Sequence, residues 1–203
     1  MEAIVSTRDR MLDAAAQVMR TRGLARATTK EIAKEAGFSE AALYKHFRDK
    51  TDMFLAVLTE RVPGTLGAVL ADLEDRVGKR PATETLFDIA LAALGFYHDT
   101  FVMAAAVFSE PQLLAAHRAA LQERDAGPHH VSDAVAKYIA SEQGLGRLRA
   151  DADPHAAADL LLGACFQQAF LSRFADTPMD DETRRRSATA LTQTLLGGLA
   201  APS

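Results

Sequence analysis

The sequence predicts an all-α fold, on three observations. Alanine supplies 40 of the 203 residues, while Trp is absent and Phe and Tyr number only 10 and 3. That composition favours helix over strand. Apolar residues recur at helical spacing nearly everywhere, and no alternating segment bounded by hairpin turns occurs. The length favours one or two domains with a sizeable core.

The elements follow in order. Leu12, Ala15, Ala16 and Met19 form one stripe of a first helix over about 7–21, which Gly23 ends. Thr28 caps a short second helix to about 36, and Glu31, three residues on, completes a capping box. Gly37-Phe38-Ser39 breaks it, and Ser39 caps a third helix through Phe47. Asp49 caps a long helix to about 77, with a kink expected at Pro63-Gly64. A further helix is expected over about 83–98. Pro111, Pro128, Pro154 and Pro178 stand where a first helical turn accepts proline. Gly144 and Gly146 end the helix begun near Pro128. The last two helices run to about 174 and 196. The count is nine or ten helices, divided into a domain over 1–50 and a larger one over 51–203.

Composition excludes several classes of function. The single cysteine, Cys165, leaves no disulfide framework and no thiolate zinc site within the chain. The longest apolar run, Ile89 to Tyr97, is far short of the roughly 18 residues of a membrane span, so no membrane association is expected. Met1 to Val5 lacks the pattern of a secretory signal, which makes the protein an expected cytoplasmic one. The net charge of −4 conceals a split: residues 1–50 carry ten Lys/Arg against seven Asp/Glu, and the remainder carries the opposite excess. A small basic module attached to a larger acidic one suggests a polyanion partner for the first alone.

The informative stretch is Thr28 to Lys50. Ala33, Gly37 and Leu43 stand in the spacing A-x3-G-x5-L. A helix-turn-helix needs a small residue where its helices cross, a residue tolerant of positive φ in the turn, and apolar residues behind the second helix. Ala33, Gly37, and the set Ile32, Phe38, Leu43 and Phe47 meet those needs. The fuller string, from Thr28-Thr29 through Ile32-Ala33, Ala36-Gly37, Ser39, Leu43-Tyr44, His46-Phe47 and Lys50, resembles the N-terminal domain of TetR-family transcriptional regulators. Leu12, Ala14-Ala15 and Gly23 also fit. The match covers about the first 55 residues. Beyond them the likeness is in length, helical content and two final apolar helices.

The resemblance implies a homodimer that binds double-stranded operator DNA, as a repressor, and releases it when a small molecule enters the second domain. It places Tyr44 and Lys50 at phosphate contacts, with Thr28, Thr29 and His46 nearby. Ser39, Glu40, Ala41, Ala42 and Lys45 lie on the second helix, and Lys30 on the one before. Lys45 can donate to guanine, Glu40 can accept from cytosine N4, and an alanine methyl can meet a thymine methyl. Many family members carry Gly or Thr near Ala42 and an aromatic or Arg near Lys45, so the operator sequence stays open.

The second domain offers a pocket instead of a catalytic set. Tyr97, His98, Phe101, Met103, Phe108, His117, Phe166, Gln167 and Phe170 are candidates to line it, for a mostly apolar effector. Cys165 reads as a small buried hydrophobe. No metal site and no cofactor is expected: no Glu-x-x-His or H-E-x-x-H occurs, and His129-His130, being adjacent, project about 100° apart on a helix. Leu160, Gly163, Ala164, Gln167, Leu171 and Phe174 form one stripe and Ala188, Leu191, Leu195 and Gly198 another, expected to join two copies. Arg184-Arg185-Arg186 reads as a solvated face. Two other functions remain open at this point: a DNA-binding regulator controlled by a protein partner or by no effector, and a small helical enzyme. No nucleophile–base pair or phosphate loop supports the enzyme.

Overall fold

The computed structural model describes residues 6–23, 27–62, 64–123 and 126–199, apart from the side chains of 198 and 199. Gly198 and the N-terminal residues 1–5 therefore lie outside what can be compared. Eleven α-helices and no strand occur among the described residues.

The helices fall into two compact units. The first contains residues 1–63 and 99–126, and the second 64–98 and 127–203. This division differs from the expected boundary at residue 50, because apolar side chains later in the chain join the first core. Unit 1 holds α1 (Thr7–Arg22), α2 (Thr29–Ala36), α3 (Glu40–Leu43), α4 (Lys50–Glu60) and α8 (Pro111–Gln122), with the C-terminal part of α7 (Ala82–Ser109). Its core gathers Met11, Leu12 and Met19 of α1, Ile32 and Ala33 of α2, Leu43, Phe47, Met53 and Phe54, together with Met103, Val107 and Leu113.

Unit 2 holds α5 (Gly64–Ala71), α6 (Leu73–Arg76), the N-terminal part of α7, α9 (Pro128–Gly144), α10 (Pro154–Phe174) and α11 (Asp181–Leu199). Leu86, Ile89 and Leu94 of α7 meet Val135, Tyr138 and Ile139 of α9 and Leu161 and Cys165 of α10. Cys165 is buried, its Sγ 3.7 Å from the Ala90 carbonyl, and burial pushes the thiol up to about 12. An inert small hydrophobe is what that environment makes of it.

Helix starts follow sequence chemistry closely. Ser6, Thr28, Ser39, Asp49 and Asp153 each accept a backbone N–H from the first turn of the helix that follows. Pro111, Pro128 and Pro154 open α8, α9 and α10. Pro178 is different: α11 starts three residues later, where Asp180 accepts the Thr183 N–H at 2.8 Å. The expected helix over 49–77 is divided into α4, α5 and α6. The helix expected to stop at 98 continues to Ser109, since Asp99-Thr100 brings neither Gly nor Pro to end it. At 28 residues α7 is long and apolar enough to cross a membrane, a feature hidden from a search for unbroken apolar runs. Its buried side chains, however, are committed to the two protein cores.

One buried charge braces unit 2. Glu142 is fully buried; its Oε1 accepts the Gly78 N–H at 2.9 Å and its Oε2 lies 2.9 Å from Arg147 Nε. Gly78 has φ +70°, a backbone that glycine adopts without strain. Glu142→Ala is expected to lower the unfolding free energy by about 2–3 kcal/mol, through loss of charged hydrogen bonding at a buried site. Arg149→Ala, whose Asp151 partner is exposed, should leave the midpoint unchanged. Urea unfolding followed by circular dichroism measures both.

Candidate nucleic-acid interface

The site is built on α2, the turn after it, and α3. Thr28 Oγ1 accepts the Glu31 N–H at 3.2 Å, and the Glu31 carboxylate accepts from the Thr28 hydroxyl at 3.4 Å and from Arg22 at 2.5 Å. So Glu31 closes the cap through the hydroxyl and pins it to the end of α1. Gly37 sits at φ +73°, ψ +31°, and the Phe38 N–H then reaches the Ala33 carbonyl at 2.9 Å. This is the left-handed stop that the turn requires. Arg10 stacks over Phe38, 4.8 Å from the ring centroid, and covers the turn from α1.

The second helix is shorter than expected. Only Glu40–Leu43 is α-helical; after it, Lys45 and His46 N–H groups bond the Ala42 and Leu43 carbonyls, i to i+3. This tightening is common at helix ends. Leu43 and Phe47 are buried beneath it, leaving Tyr44, Lys45 and His46 exposed together. Glu40 and Ala41 are exposed and Ala42 is half-buried. Ser39 accepts the Ala42 N–H at 3.3 Å and serves as the cap.

Thr29, half-buried at the start of α2, donates its hydroxyl to the Glu40 carboxylate. That bond ties the first turns of α2 and α3 to each other, and leaves Glu40 with further lone pairs for a second donor. Lys30 is exposed beside it. Lys50 is the first residue of α4, capped by Asp49, and its Nζ lies 5.0 Å from the centroid of the Phe54 ring. The stacking narrows the range of positions open to the ammonium. Arg48 is a residue the motif reading passed over. Its side chain is 87% exposed between His46 and Lys50, with Asp52 at 3.4 Å. The run Lys45-His46-Phe47-Arg48 carried that signal in composition.

Ion pairs fix α4 against α1. Arg8 donates to both oxygens of Glu60 at 2.7 and 2.8 Å, and Arg61 reaches Asp9 at 2.6 Å and Asp13 at 2.7 Å. The Ser6 hydroxyl, and then Arg61, hold the Asp9 carboxyl below its ordinary range. Arg8 also lies over the Phe47 ring at 5.5 Å.

The nine residues expected to line an effector pocket are divided between the units. Tyr97, His98, Phe166, Gln167 and Phe170 belong to unit 2; Phe101, Met103, Phe108 and His117 belong to unit 1. Tyr97 and Phe166 meet edge to face at 5.5 Å, and burial raises the Tyr97 phenol. Arg173 donates to the His98 carbonyl at 2.9 Å. Met103 is part of the unit 1 core, whereas Phe108 is 69% exposed. His117 is half-buried; its Nδ1 has no hydrogen-bond partner among the described residues, and desolvation lowers its pKa. Gln167 is exposed.

On α10, Leu160, Leu171 and Phe174 are exposed, and a groove of about 420 Å³ runs between α10 and α11, lined by Leu160, Leu161, Ala164, Leu191 and Leu195. None of the nine lines it. Ala188, expected on the outer stripe of α11, is instead buried in the unit 2 core.

The comparisons with known proteins agree with this architecture. A family model described as bacterial regulatory proteins, tetR family, matches residues 11–57, and one described as AefR-like transcriptional repressor, C-terminal domain, matches 84–197. The chain is 31% identical over 151 residues to the HTH-type transcriptional activator FasR of Mycolicibacterium smegmatis, across 70% of this chain and 63% of FasR. It thus spans less than two thirds of the length of that curated relative. A chain described as a TetR-family transcriptional regulator of Mesorhizobium loti superposes with a TM-score of 0.75 at 20% identity, covering 98% of this chain and all of that one. FadR of Bacillus subtilis, solved in complex with stearoyl-CoA, gives a TM-score of 0.66 at 16% identity over 93% of this chain and 97% of FadR. With both family models matched in order along a helix-turn-helix unit and a helical second unit, the chain belongs to the TetR family of DNA-binding transcriptional regulators.

Proposed function

We propose that the protein is a homodimeric repressor that binds an inverted-repeat operator through Tyr44, Lys45, His46 and Lys50 and is released by a small, mostly apolar effector. The observation that carries this reading is the joint exposure of Tyr44, Lys45 and His46 above buried Leu43 and Phe47. A phenol, an ammonium, an imidazole and the adjoining Lys50 make a compact set of donors to phosphates and base edges. Thr28 and Ser39 serve first as caps, and Lys30, Ala41 and Ala42 flank the reading face. Glu40, tied to Thr29, acts by orienting that face.

Two copies join through the last two helices in this reading. The exposed Leu160, Leu171 and Phe174 of α10 and the adjacent groove support it, being an apolar surface of the kind that monomers seldom leave open. The dimer sets its reading faces about 34–36 Å apart, one turn of the duplex. The aromatic pair Tyr97 and Phe166, in edge-to-face contact within unit 2, supports an apolar effector. The relative FasR is an activator, and that favours a second reading in which the same DNA contact activates. A reporter placed downstream of the bound site separates the two by the sign of the response.

The DNA contact is tested by mobility shift and salt titration on fragments selected from random DNA. Wild type should give a steep fall of affinity with salt, because phosphate contacts release counterions. Lys50→Ala should weaken all sequences alike and flatten the log–log slope by about one unit. An unchanged slope in a folded variant removes Lys50 from the phosphate set.

Lys45→Ala should relax preference at one position in each half-site, by roughly 1–3 kcal/mol for a bidentate contact. Sequencing the selected pools of wild type and variant reads this directly. Identical preferences would transfer the readout to Lys30 or to DNA shape.

A further inference from the structure

We propose that the start of α9 and the start of α10 form a binding site for a divalent transition-metal ion, with His129, His130, Asp133 and His155 as ligands. His129, His130 and Asp133 each offer one ligand atom, and these atoms lie within 4.8 Å of one another. The Asp133 carboxylate is also 3.8 Å from Nδ1 of His155, on α10. All four residues belong to unit 2.

Adjacent histidines within a helix diverge by about 100°, which argued against this pair on sequence alone. Their place at the helix start changes the geometry. His129 and His130 follow Pro128 in the first turn of α9, directly after Gly127. The His129 ring folds back over Gly127, so that a Cβ there would meet its Cε1 and Nδ1 at 2.9 Å. The absent side chain of Gly127 is the space that the ring occupies. The two imidazoles then approach to 4.1 Å between centroids, tilted by 37°. Asp133, on the second turn, brings a carboxylate to the same place.

The donor chemistry sets the class of ion. Three imidazole nitrogens and one carboxylate oxygen suit zinc, cobalt, nickel or copper, whereas calcium and magnesium prefer all-oxygen sets. Bond lengths of about 2.0–2.2 Å require the donors to draw closer than they stand. Rotation about the side-chain bonds supplies that movement, most freely for His129, Asp133 and His155, which are exposed, and less so for half-buried His130. An ion held there would join the first turn of α10 to α9, and the site stands independently of how the other unit reads DNA.

The test uses the full-length chain without an affinity tag, freed of metal with a chelator, in calorimetric titrations with zinc chloride and cobalt chloride. The expected result is one ion bound per chain. Cobalt should develop visible absorption bands that zinc abolishes. The double variant H129A/H130A should lose stoichiometric binding, and His155→Ala should weaken it by about tenfold or more. Melting curves establish that these surface variants stay folded. Failure of the wild type to take up zinc, or wild-type binding in folded H129A/H130A, would overturn the site.

Discussion

Burial of one face and both flanks of α1 is the interaction on which the DNA-binding unit depends. Met11, Leu12, Ala14, Ala15, Ala16, Val18 and Met19 are all buried. Fully burying side chains of the Leu, Met or Val kind contributes about 1.5–3 kcal/mol each before entropy is deducted. The alanines matter for a different reason: they let α2 and α4 approach α1 closely. Neither α2, at eight residues, nor α3, at four, is long enough to hold its helical form in isolation. Their positions are consequences of what α1 presents to them.

Electrostatics refine what burial begins. The pairs Arg8–Glu60, Arg61–Asp9 and Arg61–Asp13 join the two ends of α1's first turns to the end of α4. They are part-exposed, so each adds little to stability. Their effect is on direction: α4 carries Lys50 at its start, and Arg8 lies over the Phe47 ring that closes the turn after α3. Thr29 and Glu40 do the same between α2 and α3. The exposed face of α3 is therefore held in place, and on the DNA contact proposed for it less ordering is left to be done.

The second unit follows a different logic. Its core is apolar and helical throughout, yet it takes in the charge of Glu142 where α9 passes the turn at Gly78. A buried carboxylate is costly unless its oxygens are answered. Here Oε1 accepts a backbone N–H, while Oε2 is offset by the charge of the Arg147 guanidinium without a hydrogen bond among the described residues. That pairing ties the turn at Gly78 to α9.

Capping chemistry and turn chemistry are local, and the sequence by itself determined them. Ser6, Thr28, Ser39, Asp49 and Asp153 begin helices because a short oxygen side chain can reach an unpaired N–H one turn on; Gly37 turns because it has no Cβ. The helix-turn-helix and its exposed residues were legible for that reason. Longer-range placement was not. That Met103 belongs with α1, that Ala188 faces inward, and that α7 runs past His98 depend on which apolar surfaces meet, and many pairings share the same period of 3.6 residues. The approach of His129, His130, Asp133 and His155 required the fold as well, since it joins two helices and uses the space over Gly127, neither of which spacing along the chain contains.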